Sequence, residues 1–365
     1  MTTPSAPVGD TLSVQLLAQG EQHATDVAAW LATFIGVAQH TLDIAIYDMR
    51  LSDPLKATLA SALAGRAAVG VVIRIVYNGG RPGLPGFASG ADPSTGDTHD
   101  FVQSLGYPAR AIDDLKLMHH KYLVRDAGLP GACVWTGSTN LTDDAWTLEE
   151  NNILRLLSGD LAAAYSRDFA ELWARGTLGT SGAQETVNTT LVYGGQPCAA
   201  EVLFSPGCGP AIDYLIARRV AQAQRRVRIC SMLLNSGALI AALGDLLREG
   251  RVAVDGVYDR TQMEGVFVQW QDVPHNHWKI GAVQEIIRDA QLVGKNSTPY
   301  SPTSAHDFMH IKTLVIDDLV ITGSYNFSHS AELNAENILL LESPALAETY
   351  SQYIDHLKVK YGGSI

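Results

Sequence analysis

An internal repeat constrains the fold of this chain more than any other feature of its sequence. Residues 38–47 (AQHTLDIAIY) align with residues 223–232 (AQRRVRICSM) at an offset of 185 positions, and each segment runs from a helical pattern into an apolar strand. The helical apolar pattern of residues 161–173 returns in residues 346–357. Because such a repeat is the signature of two similar folding units, we expect two halves with the same architecture.

Helical and strand patterns alternate within each half. The helical patterns are at residues 22–40, 53–65, 211–225 and 236–249, and the strand patterns are at residues 41–47, 71–77, 226–232 and 252–258. The second strand of each half is rich in β-branched residues, which is typical of strands. Strands that alternate with helices predict an α/β layer architecture.

The segment between the two halves differs from them in composition. Residues 176–197 contain many Gly, Thr and Ser residues and have the weakest pattern for regular structure, so we interpret them as a linker. We therefore divide the chain into two domains, residues 1–180 and residues 181–365. A chain of 365 residues is long enough for two domains that each bury a core.

Charge and hydropathy argue against two classes of protein. Asp and Glu number 38 against 26 Lys and Arg, and the net charge of −12 argues against a broad surface for duplex DNA. No apolar run is long enough to predict a membrane-spanning helix. The first residues lack the pattern of a signal peptide, so we expect a cytoplasmic protein, or a secreted one if a signal peptide has been removed.

The four cysteines leave two interpretations open. They include no Cys-x-x-Cys pair and have no histidines at zinc-finger spacing, which argues against a structural zinc site. Cys198 and Cys208 flank one short segment and would form a disulfide in a secreted protein. In the other interpretation these two residues, together with Cys133 and Cys230, are buried thiols.

Both halves contain the motif His-x-Lys-x4-Asp. Its residues are His119, Lys121 and Asp126 in the first half and His310, Lys312 and Asp317 in the second. Residues i and i+2 of a strand point to the same face, so each motif presents an imidazole beside an ammonium group, which suits a phosphate. His120 falls on the opposite face, and we expect it to pack in the core.

A second shared pattern, Gly-Ser-x-Asn, follows each motif. It provides four candidate phosphate-binding residues, Ser138, Asn140, Ser324 and Asn326. Small residues at these positions allow backbone and amide donors to approach an anion. Ten residues after each asparagine lies a glutamate, Glu150 or Glu336. A carboxylate beside a histidine fixes its tautomer and raises its basicity, so we assign these glutamates to orient the histidines.

If the two halves meet, two histidines, two lysines and two asparagines surround one anionic centre. One imidazole would attack phosphorus and form a phosphohistidine, while the lysines and asparagines hold the phosphate oxygens. The other imidazole would protonate the leaving oxygen as an acid. In the second step it would act as a base and take a proton from the attacking water. This chemistry requires neither a metal ion nor a cofactor.

The paired motifs resemble those of the phospholipase D superfamily, the phosphodiesterases with two His-x-Lys-x4-Asp motifs, over nearly the whole chain. The resemblance implies that each half is an α/β/α sandwich with a mixed sheet. It also implies a pseudo-twofold axis between the halves, with the active site between them. It further implies that His119 is the nucleophile and His310 the acid. Asp126 and Asp317 belong to the catalytic motif, and the resemblance implies that they support the site more than they react.

Two long segments, residues 78–100 and 260–307, lack a regular pattern, and we expect them to line the rim of the cleft. Their apolar residues include Leu84, Phe87, Phe267, Val268 and Trp270. An apolar rim suits a lipid, whereas a track for nucleic acid would combine Lys or Arg with aromatic residues.

We therefore predict a phospholipase D-type phosphodiesterase that hydrolyses phospholipids of the phosphatidylcholine type, with chemistry that also allows transfer to alcohols. The alternatives are a nuclease of the same superfamily and a phosphate- or phospholipid-binding protein without activity. We expect a phospholipid substrate and peripheral contact with a membrane as partners, without broad binding of nucleic acid. Because one chain contains both motifs, we expect a monomer.

Overall fold

The computed structural model describes residues 9–80, 93–183, 186–301 and 304–362. The strands of the first half are β1 (Leu12–Leu17), β2 (Thr41–Ile46), β3 (Met49–Arg50), β4 (Val72–Gly80), β5 (Ala109–Asp113), β6 (Lys121–Arg125), β7 (Cys133–Gly137), β8 (Leu141–Thr142) and β9 (Asn151–Leu157). Its helices are α1 (Ala24–Gly36), α2 (Asp53–Ala67), α3 (Pro93–Leu105), α4 (Asp143–Thr147) and α5 (Gly159–Arg175).

The second half repeats this arrangement with additions. Its strands are β10 (Val187–Tyr193), β11 (Gln196–Ser205), β12 (Arg226–Ser231), β13 (Ala253–Asp259), β14 (Val293–Lys295), β15 (Lys312–Ile316), β16 (Leu319–Gly323) and β17 (Glu336–Glu342). Its helices are α6 (Gly209–Ala221), α7 (Gly237–Glu249), α8 (Arg260–Gln271), α9 (His277–Asp289) and α10 (Pro344–Gly362), with a 3-10 turn at Pro274–Asn276.

Each half is built around one mixed sheet, and the two sheets share a common topology. The strand order is β1-β9-β7-β6-β2-β4-β5 in the first sheet and β10-β11-β17-β16-β15-β12-β13-β14 in the second. The ladders β2-β4-β5 and β12-β13-β14 are parallel, whereas the motif strands β6 and β15 have antiparallel neighbours on both sides. The prediction of two α/β halves with mixed sheets is confirmed.

Buried strand residues and capped helix ends explain where these elements form. Every residue of β6 and of β15 is buried, as expected for central strands that are covered on both faces. α5 follows Ser158, whose hydroxyl accepts a hydrogen bond from the backbone N–H of Leu161, and ends at Gly176, whose φ of 75° is left-handed. α7 has the same kind of ends, with Ser236 before it and Gly250 after it.

The segment predicted as a linker is largely strand. Residues 187–205 form the hairpin of β10 and β11, which extends the edge of the second sheet. The prediction of a linker at 176–197 is therefore wrong for its second part. The many Gly, Thr and Ser residues of this segment indicate a linker by composition, and they obscure the alternating pattern of the strand β10. The division of the chain between residues 180 and 181 stays a prediction.

The segment 260–307 is also more regular than predicted, because it contains α8, α9 and β14. Trp270 is 4% exposed and belongs to the core of the second half, so it does not form an apolar rim. Phe267 packs partly against the same core, and Val268 is exposed. In the other long segment β4 ends at Gly80 and α3 begins at Pro93, and the apolar residues predicted between them lie outside the described residues.

A polar network joins the two halves inside their shared core. Asn152 Nδ2 of β9 donates to Thr322 Oγ1 (2.7 Å) and Tyr350 Oη (2.8 Å) in the second half. In the reverse direction, Asn337 Oδ1 of β17 accepts a hydrogen bond from Tyr165 Oη (3.1 Å) in the first half. Such reciprocal contacts are what a pseudo-twofold relation between the halves produces.

Two expectations from composition concern membrane helices and cysteines. Within the described ranges, no helix combines the length and apolar character that a bilayer span needs. All four cysteines are free thiols, of which Cys133, Cys198 and Cys230 are buried and Cys208 is partly buried. The structure therefore favours thiols over the disulfide alternative for Cys198 and Cys208.

Candidate active site

The two motif histidines meet at the boundary between the halves. His119 and His310 each lie two residues before the lysine that begins β6 or β15. Both histidines line one cavity of about 630 Å³, together with Asn140 and Asn326. Each histidine is 6% exposed. The structure thus brings the two copies of the motif to one site.

His119 is oriented by a carboxylate from the opposite half. Its Nδ1 lies 2.7 Å from Oε2 of Glu336, the first residue of β17. Glu336 is fully buried, and its other oxygen accepts a hydrogen bond from Asn334 Nδ2 (3.2 Å). A carboxylate only accepts hydrogen bonds, so Nδ1 carries the proton and Nε2 the lone pair. The ring of Tyr47 packs against His119 at a centroid distance of 4.7 Å.

His310 has a different set of neighbours. Its Nδ1 lies 3.0 Å from Asn151 Oδ1 and 3.3 Å from Glu149 Oε2. Asn151 Nδ2 donates to the same Glu149 oxygen (3.0 Å), and Ser138 Oγ donates to Asn151 Oδ1 (2.7 Å). An amide therefore holds His310 directly, with a carboxylate at longer distance, whereas a carboxylate holds His119.

Strand register shows which residue of the first half corresponds to Glu336. The last glycines of β7 and β16 pair with equivalent isoleucines of β9 and β17, and Asn151 and Glu336 both lie two residues before those isoleucines. Glu150 corresponds instead to Ala335. Asn151 is the eleventh residue after its Gly-Ser-x-Asn asparagine and Glu336 is the tenth, so equal spacing in sequence selects the wrong residue.

Glu150 does not orient a histidine, and this part of the prediction is wrong. Its carboxylate accepts hydrogen bonds from Lys295 Nζ (2.5 Å), from the backbone N–H of Gln19 (3.1 Å) and from Tyr361 Oη. The side chains of Lys295 and Glu150 are 1% and 0% exposed, so the ion pair belongs to the interior. It connects the start of β9 to the second half of the chain.

The motif lysines lie in the interior beside the histidines. Lys121 Nζ donates to the backbone oxygen of His119 (2.7 Å) and lies 4.9 Å from the centre of the Tyr47 ring. Lys312 Nζ donates to the backbone oxygen of His310. Because burial removes water from the ammonium groups, it lowers the pKa of Lys121 well below its usual value and that of Lys312 to about 7.

Burial also keeps both histidines neutral. It lowers the pKa of His119 to about 4, against the opposing effect of Glu336, and it lowers the pKa of His310 well below its usual value. Burial raises the pKa of Glu149 to about 8. Burial also raises the pKa of Glu336, but His119 and Lys121 outweigh it and hold that pKa below its usual value. The site therefore contains a neutral His119 beside an ionised Glu336.

The four residues predicted to bind phosphate divide into two pairs. Asn140 and Asn326 line the cavity, and their buried Oδ1 atoms have no hydrogen-bond partner among the described residues. Ser138 and Ser324 are fully buried, and their hydroxyls bind the first residues of β9 and β17. The hydroxyls of both serines are thus engaged within the protein, and the phosphate-binding role of Ser138 and Ser324 stays a prediction. At Gly137 (φ 145°) a Cβ would lie 2.2 Å from a backbone oxygen of β9, which explains the glycine.

The motif aspartates lie at the far ends of the motif strands and not among the residues that line the cavity. Asp126 accepts hydrogen bonds of 2.7–3.1 Å from the backbone N–H groups of residues 39–41. Asp317 accepts hydrogen bonds of 2.7–3.1 Å from those of residues 224–226. Both have positive φ, 55° and 53°, at the turn after their strand. These contacts fit the supporting role that the resemblance implies for both aspartates, and their place in the catalytic motif stays a prediction.

The cavity walls include residues that the sequence analysis does not select. Tyr300, His306 and Phe308 form an aromatic cluster with ring centroids 5.0–6.4 Å apart. Tyr47 and Glu149 of the first half also line the cavity. Among the described residues that line the cavity, none is Lys or Arg. No short motif marks these residues, because tertiary packing alone brings them to the site.

Two further observations concern side chains away from the cavity. His120 is fully buried, its Nε2 lies 3.0 Å from Asp168 Oδ2, and its ring packs against Tyr122 and Phe204. This arrangement fits the packing role expected for it. In the described part of the chain, no three His, Cys, Asp or Glu side chains are grouped so that they could hold a metal ion.

Comparison with known proteins agrees with the repeated geometry. The family described as "Cardiolipin synthase, PLD-like domain" matches the chain twice, at residues 31–173 and 216–358. The chain belongs to this phospholipase D-like family. Each matched range contains one motif and its Gly-Ser-x-Asn sequence. The resemblance drawn from the paired motifs is confirmed.

Individual relatives of the phospholipase D-like family match parts of the chain. Mitochondrial cardiolipin hydrolase of Xenopus laevis is 31% identical over 136 residues, which are 37% of this chain and 56% of that protein. Phospholipase D of Rickettsia bellii (strain RML369-C) is 28% identical over 151 residues, 41% of this chain and 64% of that protein. The chain thus spans less than two thirds of the length of either relative.

A solved structure covers nearly the whole chain. Phosphatidylserine synthase of Haemophilus influenzae Rd KW20 has a TM-score of 0.63 at 13% identity, over 95% of this chain and 86% of that structure. At this identity the similarity shows a common fold. The phospholipase D-like fold therefore extends through both halves of the chain.

Proposed function

We propose that this protein is a metal-independent phosphodiesterase of phospholipase D type that hydrolyses the head-group phosphodiester of phospholipids through a covalent phosphohistidine. The observation that carries the proposal is the meeting of two neutral imidazoles at one cavity, with two buried lysines beside them. Buried ammonium groups are costly without a compensating anion. A phosphodiester bound between the histidines supplies that negative charge.

His119 is the nucleophile in this proposal. Glu336 holds its Nδ1 proton, so Nε2 attacks phosphorus, a P–N bond forms and the bond to the leaving oxygen breaks. The negative charge of the bound phosphodiester favours a His310 that is protonated on both nitrogens, and its Nε2 gives its proton to the leaving oxygen. Water then gives a proton to His310 and attacks phosphorus, which breaks the P–N bond and frees His119.

In this proposal the asparagines hold the phosphate oxygens at the cavity wall, and the lysines act on the phosphate charge from behind the histidines. Lys121 and Lys312 supply positive charge from the interior, and the amides of Asn140 and Asn326 line the cavity. Donors fixed in a site from which water is excluded stabilise the charge that develops in the transition state. An alcohol that replaces water in the second step gives transfer of the phosphatidyl group with the same residues.

The cavity walls favour a lipid over a nucleic acid. The second half contributes apolar side chains, namely Met232, Leu233, Val266 and Phe308. The described lining residues include no Lys or Arg to follow a chain of phosphates. The net charge of −12 also opposes the binding of a polyanion. Two relatives are named cardiolipin hydrolase and phospholipase D, which supports the same choice.

We further propose that the protein acts as a monomer, with one motif copy in each of the domains 1–180 and 181–365. Both copies line one cavity, so the site is complete within one chain. Tyr300 lines the cavity and is 57% exposed, so it is placed to contact a membrane surface when a lipid enters.

Head-group release tests the proposed function. In micelles of phosphatidylcholine or phosphatidylglycerol with excess EDTA, we expect release by the unaltered protein and loss of release in His119→Ala. His275→Ala changes an exposed histidine outside the cavity and should retain activity. Cleavage of a labelled single-stranded oligonucleotide without head-group release would replace the lipid by a nucleic acid. If the folded protein cleaves neither substrate, the proposed phosphodiesterase activity is wrong.

A further inference from the structure

The two histidines of the site have unequal partners. His119 faces the carboxylate of Glu336, with Nδ1 2.7 Å from Oε2. His310 faces the amide of Asn151, with Nδ1 3.0 Å from Oδ1. Strand register makes the two partners equivalent positions of the repeat. By the same register Glu149 is equivalent to Asn334, so the carboxylate and the amide stand at exchanged positions in the two halves. The residue that directly faces each histidine therefore differs, which breaks the symmetry of the site.

We propose that this difference fixes which histidine attacks phosphorus. Glu336 restricts His119 to the nucleophilic role. Asn151, with Glu149 beside it, restricts His310 to the acid role. The inference rests on the proposed phosphodiesterase activity and goes beyond it, because the motif itself is the same in both halves and does not distinguish the histidines.

A carboxylate partner favours the nucleophile. As the P–N bond forms, the imidazole ring gains positive charge, which a carboxylate 2.7 Å from Nδ1 stabilises. Glu336 is fully buried and held by Asn334, so little water screens this interaction. The pKa of His119 responds in the same sense, because burial lowers it and Glu336 opposes that effect.

An amide partner favours the acid. The oxygen of Asn151 accepts the Nδ1 proton of His310 and fixes the ring, but a neutral acceptor stabilises an imidazolium less than a carboxylate does. His310 is therefore the weaker base and gives up its Nε2 proton more readily. Glu149 is 2% exposed and lies 3.3 Å from Nδ1, and because burial raises its pKa to about 8, it stabilises a protonated His310 less than a full carboxylate charge would.

The consequence concerns the covalent intermediate. In the first step the P–N bond forms at His119 Nε2, the P–O bond of the leaving alcohol breaks, and the His310 Nε2 proton moves to the alcohol oxygen. In the second step water returns a proton to His310 and releases the phosphate from His119. The histidines never exchange roles, so every turnover places the phosphoryl group on His119.

Trapping of the intermediate tests this inference. Bis(4-nitrophenyl) phosphate is a suitable probe because 4-nitrophenolate leaves without a proton and the probe needs no lipid contact. After an alkaline quench, peptide mass spectrometry should place the phosphoryl label on His119. The double variant Asn151→Glu with Glu336→Asn exchanges the two partners, and most of its label should move to His310.

Controls separate the inference from misfolding and from the proposed function. Thermal melting checks the double variant, and Asn151→Asp alone should divide the label between His119 and His310. Label on His310 in the unaltered protein, or label that stays on His119 in a folded double variant, overturns the inference. No label in any variant overturns it together with the phosphohistidine chemistry. If the label forms and moves while phospholipids stay intact, the inference stands and the lipid substrate is wrong.

Discussion

The two halves hold their motif strands in the same way but surround their histidines differently. β6 and β15 occupy equivalent places in the two sheets, and each is followed by an aspartate that binds three successive backbone N–H groups. His119 faces the carboxylate of Glu336. His310 faces the amide of Asn151 instead. The comparison teaches that the repeat supplies a common framework and that residues at the start of β9 and β17 assign the chemistry.

A second difference lies one residue from the partner position. Glu150 forms a buried ion pair with Lys295, whereas the equivalent residue of the second half is an alanine. Lys295 Nζ also donates to a backbone oxygen just before Glu149 (3.2 Å). The ion pair therefore holds the segment that presents Glu149 and Asn151 to His310.

The largest expected effect separates the two histidines. His119→Ala removes the nucleophile and should lower kcat by about 10⁴-fold or more on phospholipid and on bis(4-nitrophenyl) phosphate. His310→Ala removes the acid, so it should cost about 10²-fold or more on phospholipid and much less on the nitrophenyl diester. Steady-state kinetics with both substrates measures the difference, with His275→Ala as the control. Equal losses on the nitrophenyl diester would show that the histidines have equal roles.

The next effect is on stability. It concerns the ion pair of Glu150 with Lys295, which has no equivalent at Ala335. Lys295→Met leaves the Glu150 carboxylate buried without its cation and should lower the free energy of unfolding by about 3–5 kcal/mol. The matched variant Lys295→Met with Glu150→Leu removes both charges and should recover most of that loss. Urea denaturation followed by circular dichroism measures both variants. A single variant as stable as the unaltered protein would contradict this structural role.

The pH dependence of kcat/KM sharpens the comparison of the partners. His119 attacks as a neutral imidazole, and burial lowers its pKa to about 4, so activity should persist as the pH falls until about 4. Glu336 opposes that lowering, so Glu336→Gln should move the acid limb to lower pH and reduce the rate by about 10²-fold. Bis(4-nitrophenyl) phosphate isolates this limb, since its cleavage needs no acid. If the activity of the folded protein instead fell near pH 6.5, the usual pKa of histidine, burial would not lower the pKa of His119 as proposed.

The smallest effects concern the motif aspartates. Asp126 is 4% exposed, and Asp126→Ala deprives three backbone N–H groups of their acceptor, so we expect a loss of about 2 kcal/mol in the free energy of unfolding. The Asp317 side chain is 23% exposed, and Asp317→Ala should cost about 1 kcal/mol. Chemical denaturation checks the order. The activity of the folded variants should stay within a few fold of that of the unaltered protein. A larger loss of activity would indicate that the aspartates take part in the reaction.

Acid pH extends the prediction for Asp317. Burial raises its pKa, but hydrogen bonds from the backbone of residues 224–226 outweigh burial and hold the pKa below its usual value. The carboxylate therefore stabilises the fold above about pH 4, the usual value for Asp, and this contribution is lost as the pH falls through the lower folded pKa. The stability difference between the unaltered protein and Asp317→Asn should shrink below pH 4. A difference that is independent of pH would contradict this linkage.

Local patterns and the repeat predict most of the framework. β2, β4, β12 and β13 form where the patterns of residues 41–47, 71–77, 226–232 and 252–258 predict strands, and the two motifs lie on equivalent strands of the two sheets. The repeat also predicts that both histidines reach one site, because equivalent surfaces of two similar halves meet across a pseudo-twofold axis. The matches of the family model to both halves confirm the repeat itself.

The errors depend on register and on long-range packing. Equal spacing selects Glu150, but the first half has one residue more than the second before its partner position, in the segment that contains α4. Only the pairing of β7 with β9 shows that Asn151 is the equivalent of Glu336. Glu149 and Tyr300 reach the cavity through tertiary contacts that no local pattern encodes.

Of the two helices in the segment 260–307, α8 has a weak helical signal in the sequence. The buried residues Met263, Val266 and Trp270 of α8 have helical spacing. The polar residues and the glycine between them dilute the amphipathic pattern, so composition alone indicates an irregular segment. Burial against the core of the second half supplies the stability that the local sequence lacks.

The reciprocal contacts of Asn152 and Asn337 have a consequence for how such a site evolves. Each asparagine finds its partners in the other half, so neither half completes its interior alone. In a pair of identical subunits every substitution appears twice, and symmetry keeps both copies of a position equal. Fusion of the two copies into one chain removes that constraint. A single chain can therefore combine an amide at Asn151 with a carboxylate at Glu336, which an assembly of identical chains cannot do.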